Sequence, residues 1–126
     1  MTPRDVVTRY LREVLAGERP ESAEEVLAND ELERRTRRLR SAFPDLEIET
    51  HVLLAEGDLV AAHLVGRGTH LGLYQGVPAT GRACAARCTA VYRIEDTRIA
   101  EAWVTWDNLS LMEQLGAVER VATVSA

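Results

Sequence analysis

Asp107 is the residue whose sequence neighbours most suggest chemistry. It closes the segment WVTWD, residues 103–107, so both tryptophans of the chain lie close to one carboxylate. A carboxylate among aromatic rings is poorly solvated, which raises its pKa toward the range useful for proton transfer. The pattern therefore predicts Asp107 as a general acid/base. An Asp before an apolar helical pattern can also cap that helix, and Asn108 could take over the capping.

His70 is the second candidate catalytic residue. It lies on a strand face that is otherwise apolar and directly precedes a glycine-rich loop. A lone His in this position is either a hydrogen-bonded core residue or part of a site, and both interpretations stay open. His51 and His63 share strand faces with charged residues and are interpreted as surface or interface residues. The spacing of the histidines does not predict a metal site.

A further set of residues is assigned to substrate binding: Tyr74, Arg87, Trp103, Thr105 and Trp106. The tryptophans belong either to the core or to a surface that stacks on a flat polycyclic ligand. Tyr74 is either a lid residue or a plug of its own loop. Arg87 would hold an enolate or phenolate oxygen if its strand face lines a pocket, and would be solvated if that face is convex.

Several kinds of catalysis have no signature in this chain. It contains neither a Gly-x-Ser-x-Gly motif nor a glycine-rich phosphate loop, so we expect no covalent or nucleotide mechanism. On one strand Cys84 and Cys88 would lie about 13 Å apart, beyond the reach of a disulfide. They also lack the spacing of a zinc site. We interpret both cysteines as small buried hydrophobic residues.

Composition restricts the class of partner. The 126 residues carry a formal net charge of −5, which argues against nucleic acid and anionic membranes. The length suits one domain with a single core, and no apolar run is long enough to span a membrane. The segment Met1–Asp5 has no apolar region of a secretory signal, so a cytoplasmic protein is the expectation.

Helical spacing of apolar residues dominates the first third of the chain. It predicts three helices, Pro3–Ala16, Pro20–Asn29 and Asp30–Phe43. Thr2 and Asp30 are the expected caps of the first and third helices. The third carries the run Arg34–Arg38, which is either a solvated face or one wall of a groove for an acidic ligand.

After Pro44 the apolar spacing changes to two, which is typical of strands. Four antiparallel strands are predicted, Leu46–Glu56, Leu59–Leu71, Arg82–Glu95 and Arg98–Asp107. A short helix should follow and end at Gly116, and the tail from about Ala117 should be flexible. This order indicates an α+β domain spanning residues 1–126, in which a curved sheet wraps around the N-terminal helices.

Four segments in order carry a family resemblance. They are Ala42–Leu46 (AFPDL), Ala55–Asp58 (AEGD), Gly68–Arg82 and Trp103–Gly116. Together they resemble the SnoaL-like family of polyketide cyclases, which belongs to the superfamily of ketosteroid isomerase and nuclear transport factor. The resemblance covers roughly residues 40 to 117. It implies a cone-shaped sheet around a deep apolar pocket, a homodimer, and chemistry without a cofactor.

The resemblance also implies a substrate and a set of roles. An Asp at the position of Asp107 serves cyclases of the family as general acid/base, and the substrate would be a polycyclic or polyketide-like small molecule. Relatives that hydroxylate, open epoxides or only bind ligands are the alternatives. The family's extra strand between the second and third helices is missing near residues 27–31, so one pocket wall should be reshaped or open. Where aldol-type cyclases often carry histidines, this chain has Ala102 and Thr105.

Overall fold

The computed structural model describes residues 1–119. Its helices are α1 (Pro3–Arg9), a π-helical segment (Tyr10–Leu15), a 3-10 turn (Pro20–Ser22), α2 (Ala23–Val26), α3 (Asp30–Ala42) and α4 (Asn108–Gln114). Its strands are β1 (Glu47–Glu56), β2 (Leu59–Thr69), β3 (Ala83–Glu95) and β4 (Arg98–Trp106). The predicted α+β architecture, a curved antiparallel sheet with helices against it, is confirmed. Most of the tail for which we predicted flexibility lies outside the described residues.

The first helix begins as predicted but changes its winding. Thr2 caps it, since its hydroxyl accepts the Asp5 N–H at 3.2 Å while the Asp5 carboxylate accepts the Thr2 N–H at 3.0 Å. From Tyr10 the helix is of the π type. Its buried residues recur every four positions, wider than the 3.6 residues of an α turn, so a π segment keeps them on one face.

The second helix is shorter than predicted, and the cap of the third is a different residue. The chain leaves α2 at Val26, and the Ala28 N–H donates to the Ile99 carbonyl of β4 at 2.9 Å. Asn29, not Asp30, caps α3, because its side-chain oxygen accepts the Leu32 N–H at 2.9 Å. Its amide also donates to the Ala100 carbonyl at 3.1 Å. This short bridge joins α3 to the last strand at the point where we expected a missing strand.

The sheet is a meander with strand order β1-β2-β3-β4, and every neighbouring pair is antiparallel. A bulge at His51 shifts the register of β1, because Thr50 pairs with Leu64 and Val52 pairs with His63. Simple alternation would place Val52 and Leu54 on the same face as Leu46 and Ile48, and beyond the bulge this expectation is wrong. Val52 and Leu54 are exposed, and Leu53 packs on the core instead.

The two central strands pair without a register shift, so their side chains alternate regularly between the two faces of the sheet. The concave side of β2 and β3 carries the buried residues Val60, Ala62, Leu64, Ala86, Cys88, Ala90, Tyr92 and Ile94. Gly66 lies on the same side and allows a close approach, since a β-carbon there would come within 2.9 Å of the Trp106 ring. Cys88 is buried as predicted, whereas Cys84 is only half-buried. None of the helices in the described part is long and apolar enough to cross a membrane.

Candidate functional site

A cavity of about 570 Å³ lies between the helices and the concave face of the sheet. Most of its wall is aromatic or aliphatic, with two arginines on one side. Its lining consists of Tyr10, Leu15, Leu32, Arg35, Thr36, Arg38, Leu39, Leu73, Tyr74, Gln75, Gly76, Cys88, Tyr92, Val104 and Trp106. The volume is within the usual range for small-molecule sites, and an apolar wall with a few polar groups is their usual composition.

A smaller apolar recess adjoins this cavity. The two share Leu39, Tyr74 and Trp106, and the recess is otherwise lined mainly by small and apolar residues, among them Phe43, Leu46 and Leu111. Gly66 forms part of the recess wall beside the Trp106 ring. The indole of Trp106 thus forms part of the wall of both spaces, where it can stack on a flat ring.

Tyrosine hydroxyls are the main polar groups inside. The Tyr10 and Thr36 hydroxyls lie 2.7 Å apart, and burial raises the pKa of Tyr10 to about 12 against the opposing effect of this hydrogen bond. Burial also raises the pKa of Tyr92 well above its ordinary value. The Tyr92 hydroxyl forms no hydrogen bond with any residue in 1–119, unlike those of Tyr10 and Tyr74. Tyr92 is thus a protonated donor without a partner among residues 1–119.

A loop after β2 covers one end of the cavity. Leu73, Tyr74, Gln75 and Gly76 contribute to the lining. The Tyr74 hydroxyl donates to the side-chain oxygen of Asn108 at 2.7 Å, and the Asn108 amide donates to Gln75 Oε1 at 3.1 Å. These hydrogen bonds fasten the loop to the first residue of α4.

His70 lies at the base of this loop and is completely buried. Its Nδ1 accepts the Thr80 N–H at 3.2 Å and lies 2.9 Å from the Thr80 hydroxyl. In the neutral ring the proton is therefore on Nε2, which is buried without a hydrogen-bond partner among the residues described. His70 is not among the lining residues and packs beside Phe43, with ring centroids 5.6 Å apart.

Asp107 does not lie between the tryptophans. Strand alternation turns Trp106 inward, while Trp103 is 54% exposed on the outer face. The Asp107 side chain is exposed, and its Oδ1 accepts the Ser110 N–H at 3.1 Å, which caps α4. The expected desolvation of this carboxylate is therefore wrong, and the capping role that we had left open is present.

Arg87 and Thr105 also lie outside the cavity. Both are exposed, and β3 and β4 present them on the convex face. Of the predicted substrate-binding residues, the structure thus brings Tyr74 and Trp106 together, and it places Arg87, Trp103 and Thr105 on the opposite side of the sheet.

Sequence reasoning did not select several residues of the cavity as site residues: Tyr10, Arg35, Thr36, Arg38, Cys88 and Tyr92. The available signals were the alternation of apolar residues along β3, which includes Tyr92, and the groove alternative for the arginine run. Helical spacing cannot show that the face of α3 bearing Arg35 borders a cavity and not solvent. In the described residues, no group of three or more His, Cys, Asp or Glu side chains could hold a metal ion.

Comparisons with known proteins agree with this fold. A family model described as SnoaL-like polyketide cyclase matches residues 4–115. TsrD of Streptomyces laurentii is 26% identical, with a TM-score of 0.80 over 91% of this chain and 95% of that one. IdmH of Streptomyces antibioticus, described as a candidate polyketide cyclase, is 26% identical, with a TM-score of 0.78 over 92% and 99%.

AclR of Streptomyces galilaeus, described as a candidate hydroxylase, is 20% identical, with a TM-score of 0.81 over 97% of this chain and 85% of that one. At this identity the likeness concerns the fold alone. No curated protein sequence matches the chain.

Proposed function

The chain belongs to the SnoaL-like polyketide cyclase family, and we propose that it is a cofactor-independent enzyme acting on a polyketide-like substrate. The reaction would be a ring closure or a related rearrangement. The observation that carries this proposal is the cavity, with aromatic walls, a loop across one end and a tyrosine hydroxyl, that of Tyr92, that has no partner among residues 1–119. A flat substrate would be held in the orientation in which its reacting carbons meet, and such positioning lowers the barrier by itself.

The role of Tyr92 follows from its protonation. Because burial raises its pKa, the hydroxyl stays a donor at neutral pH. It would hydrogen-bond a substrate carbonyl and stabilise the negative charge that develops there when an enolate forms or is attacked. Tyr10 and Thr36, whose hydroxyls are hydrogen-bonded to each other, also line this cavity. They would hold a second polar group of the substrate.

Proton transfer by Asp107 remains part of the proposal. It is supported by the family motif and by the neighbouring Trp106, which lines the cavity. The Asp107 side chain caps α4 and lies just beyond the end of β4. For an acid/base role, the substrate would have to reach the carboxylate at that end of the strand. His70 is the other candidate, and it packs against Phe43, which lines the recess.

Ligand binding without turnover is the second candidate function. It is favoured by the lining itself, since within the described part of the chain no Asp, Glu or His lines the cavity or its recess. Such a protein would bind and shield a reactive intermediate without supplying a base.

One experiment separates the two functions. The purified protein is mixed with a tricyclic anthraquinone-type intermediate that bears an enolisable side chain, in chelator-treated buffer without added cofactor. Calorimetry measures binding, and liquid chromatography with mass spectrometry follows products. An enzyme should give binding and accelerated ring closure, whereas binding with an unchanged background rate would support the binding module. Absence of binding would overturn both.

We also propose a homodimer formed through the convex face of the sheet. One residue from each strand forms an apolar row across it, because Leu54 pairs with Ala61, Ala61 with Val91, and Val91 with Trp103. Leu54 and Trp103 are 64% and 54% exposed. Ala61 and Val91 between them are half-buried. A continuous apolar row with exposed ends is typical of a surface that another protein covers.

A further inference from the structure

Arg35 and Arg38 lie on one edge of α3 and border the cavity. Residues three apart on a helix are neighbours, so the two guanidinium groups can reach the same ligand group. Their helix neighbours Leu32, Thr36 and Leu39 also line the cavity, which places the arginines where its apolar wall meets solvent.

Neither arginine of this pair forms an ion pair within residues 1–119. Among the same residues, no Asp or Glu lines the cavity or the recess. Arg37, on another side of the same helix, is paired with Glu33 at 2.7 Å. The mouth of the cavity therefore carries two positive charges on a chain whose formal net charge is −5.

The charge of Arg35 acts on the interior as well. Burial raises the pKa of Tyr10 and that of Cys88, each to about 12, and the positive charge of Arg35 opposes the rise in both cases. Both residues line the cavity. Arg35 would thus attract an anionic group of a ligand that lies inside the cavity as well as one in solvent.

We propose that Arg35 and Arg38 bind a carboxylate of the ligand while its flat apolar part occupies the cavity. Guanidinium groups suit this task, because they donate two parallel hydrogen bonds to a carboxylate and remain charged at any working pH. The preferred ligand class is therefore the free acid of an aromatic polycycle and not its neutral ester. The assignment rests on the proposed function only in taking the ligand to be a polyketide-like ring system.

The test compares one ring system in two charge states. Anthraquinone-2-carboxylate and its methyl ester are titrated into the protein by calorimetry at low and high salt. The wild type should bind the acid about tenfold or more tightly than the ester, which corresponds to about 1.4 kcal/mol. High salt should reduce the difference in affinity between the acid and the ester, since the arginines at the mouth of the cavity are exposed to solvent.

Variants identify the residues responsible. Arg35→Gln and Arg38→Gln should each weaken binding of the acid and leave binding of the ester unchanged. Arg34→Gln is the matched control, because Arg34 is an exposed arginine of the same helix that does not line the cavity. It should leave both affinities unchanged, and circular dichroism should show the same fold for all three variants.

Each other outcome is decisive. Equal wild-type affinity for acid and ester, or an equal loss in Arg34→Gln, would overturn the carboxylate site. Discrimination between the probes without turnover of any intermediate would uphold this site and count against the proposed enzyme. Turnover of an ester as fast as its acid would count against this site and support the proposed enzyme. If neither probe binds, the carboxylate site and the proposed ligand class are both wrong.

Discussion

The hydroxyl of Tyr74 and the side-chain oxygen of Asn108 lie 2.7 Å apart and join the loop over the cavity to the start of α4. Burial raises the pKa of Tyr74, so this hydroxyl remains a donor. The contact links two segments that are 34 residues apart in the chain. It is therefore the natural place to test whether the loop acts as a lid.

Removing this contact should speed ligand release. Asn108→Ala removes the hydrogen bond that Tyr74 donates to Asn108 and the one that Asn108 donates to Gln75. We expect faster hydrogen exchange in residues 71–81 and a larger dissociation rate for anthraquinone-2-carboxylate. Tyr74→Phe should give much of the same effect, and the double variant should be no worse than Asn108→Ala, since the Tyr74–Asn108 hydrogen bond is lost in both single variants. Fully additive effects would show that the two residues act independently.

Asp107 should be tested with substitutions that separate capping from proton transfer. Asp107→Asn keeps a good cap, whereas Asp107→Ala should destabilise the protein by about 1 kcal/mol. If Asp107 transfers a proton, Asp107→Asn should bind substrate normally and lose roughly 10²-fold or more in kcat. Near-wild-type turnover in Asp107→Asn, with a lower melting temperature in Asp107→Ala, would leave Asp107 as a cap only.

The hydroxyl of Tyr92 should matter for chemistry and little for stability. Tyr92→Phe removes a group with no partner in the described part of the chain, so the free energy of unfolding should stay nearly constant. Turnover should fall by about 10²-fold or more if the hydroxyl stabilises an oxyanion. Tyr10→Phe is the matched comparison, because it breaks the hydrogen bond to Thr36 and should cost about 1 kcal/mol of stability. Unchanged kcat in Tyr92→Phe would remove this residue from the mechanism.

Stability should decline at alkaline pH in a way that depends on Tyr10. Its folded-state pKa of about 12 exceeds the value of about 10 expected in the unfolded chain. The folded state therefore holds its proton longer, and this contribution is fully present below about pH 10. It is lost as pH rises from about 10 to 12. Denaturant unfolding across this range should show a smaller decline in Tyr10→Phe than in the wild type, and parallel curves would contradict the assignment.

The apolar row on the convex face should hold the dimer. Trp103→Glu introduces a charge at the end of that row and should convert the protein to a monomer of about the chain mass, 14.0 kDa, in sedimentation experiments. Leu71→Glu is the control, since Leu71 is also exposed, at 56%, but lies in the loop after β2. A wild-type monomer at micromolar concentration would overturn the proposed dimer.

The fold could be predicted largely because its signals are local. The change from helical to alternating apolar spacing at Pro44, and the caps at Thr2 and before α4, depend on neighbours within a few residues. The bulge at His51 has no such signal. It became visible only through the pairing of β1 with β2, and that pairing decides which face Val52 and Leu54 occupy.

The site was harder to predict because it depends on which face of each element borders the cavity. Nearness in sequence suggested that Trp103, Trp106 and Asp107 would lie together, yet a strand sends adjacent side chains to opposite sides. Because Trp103 and Trp106 are three residues apart on one strand, their side chains must lie on opposite faces of the sheet. Arg35 and Arg38 were missed for a different reason. Only the packing of α3 against the sheet shows that these two residues border the cavity.

The extra residue at His51 gives β1 two different outer surfaces. Before it the strand presents Glu47 and Glu49 to the outside, and after it Val52 and Leu54. Strict alternation through all of these residues would instead turn Val52 and Leu54 toward the core and Leu53 outward. Deleting His51 should remove the bulge and leave the later pairing intact, with Leu53 inside and Val52 and Leu54 outside. One extra residue in an edge strand thereby sets a polar and an apolar outer surface side by side, and the apolar one supplies Leu54 to the proposed dimer row.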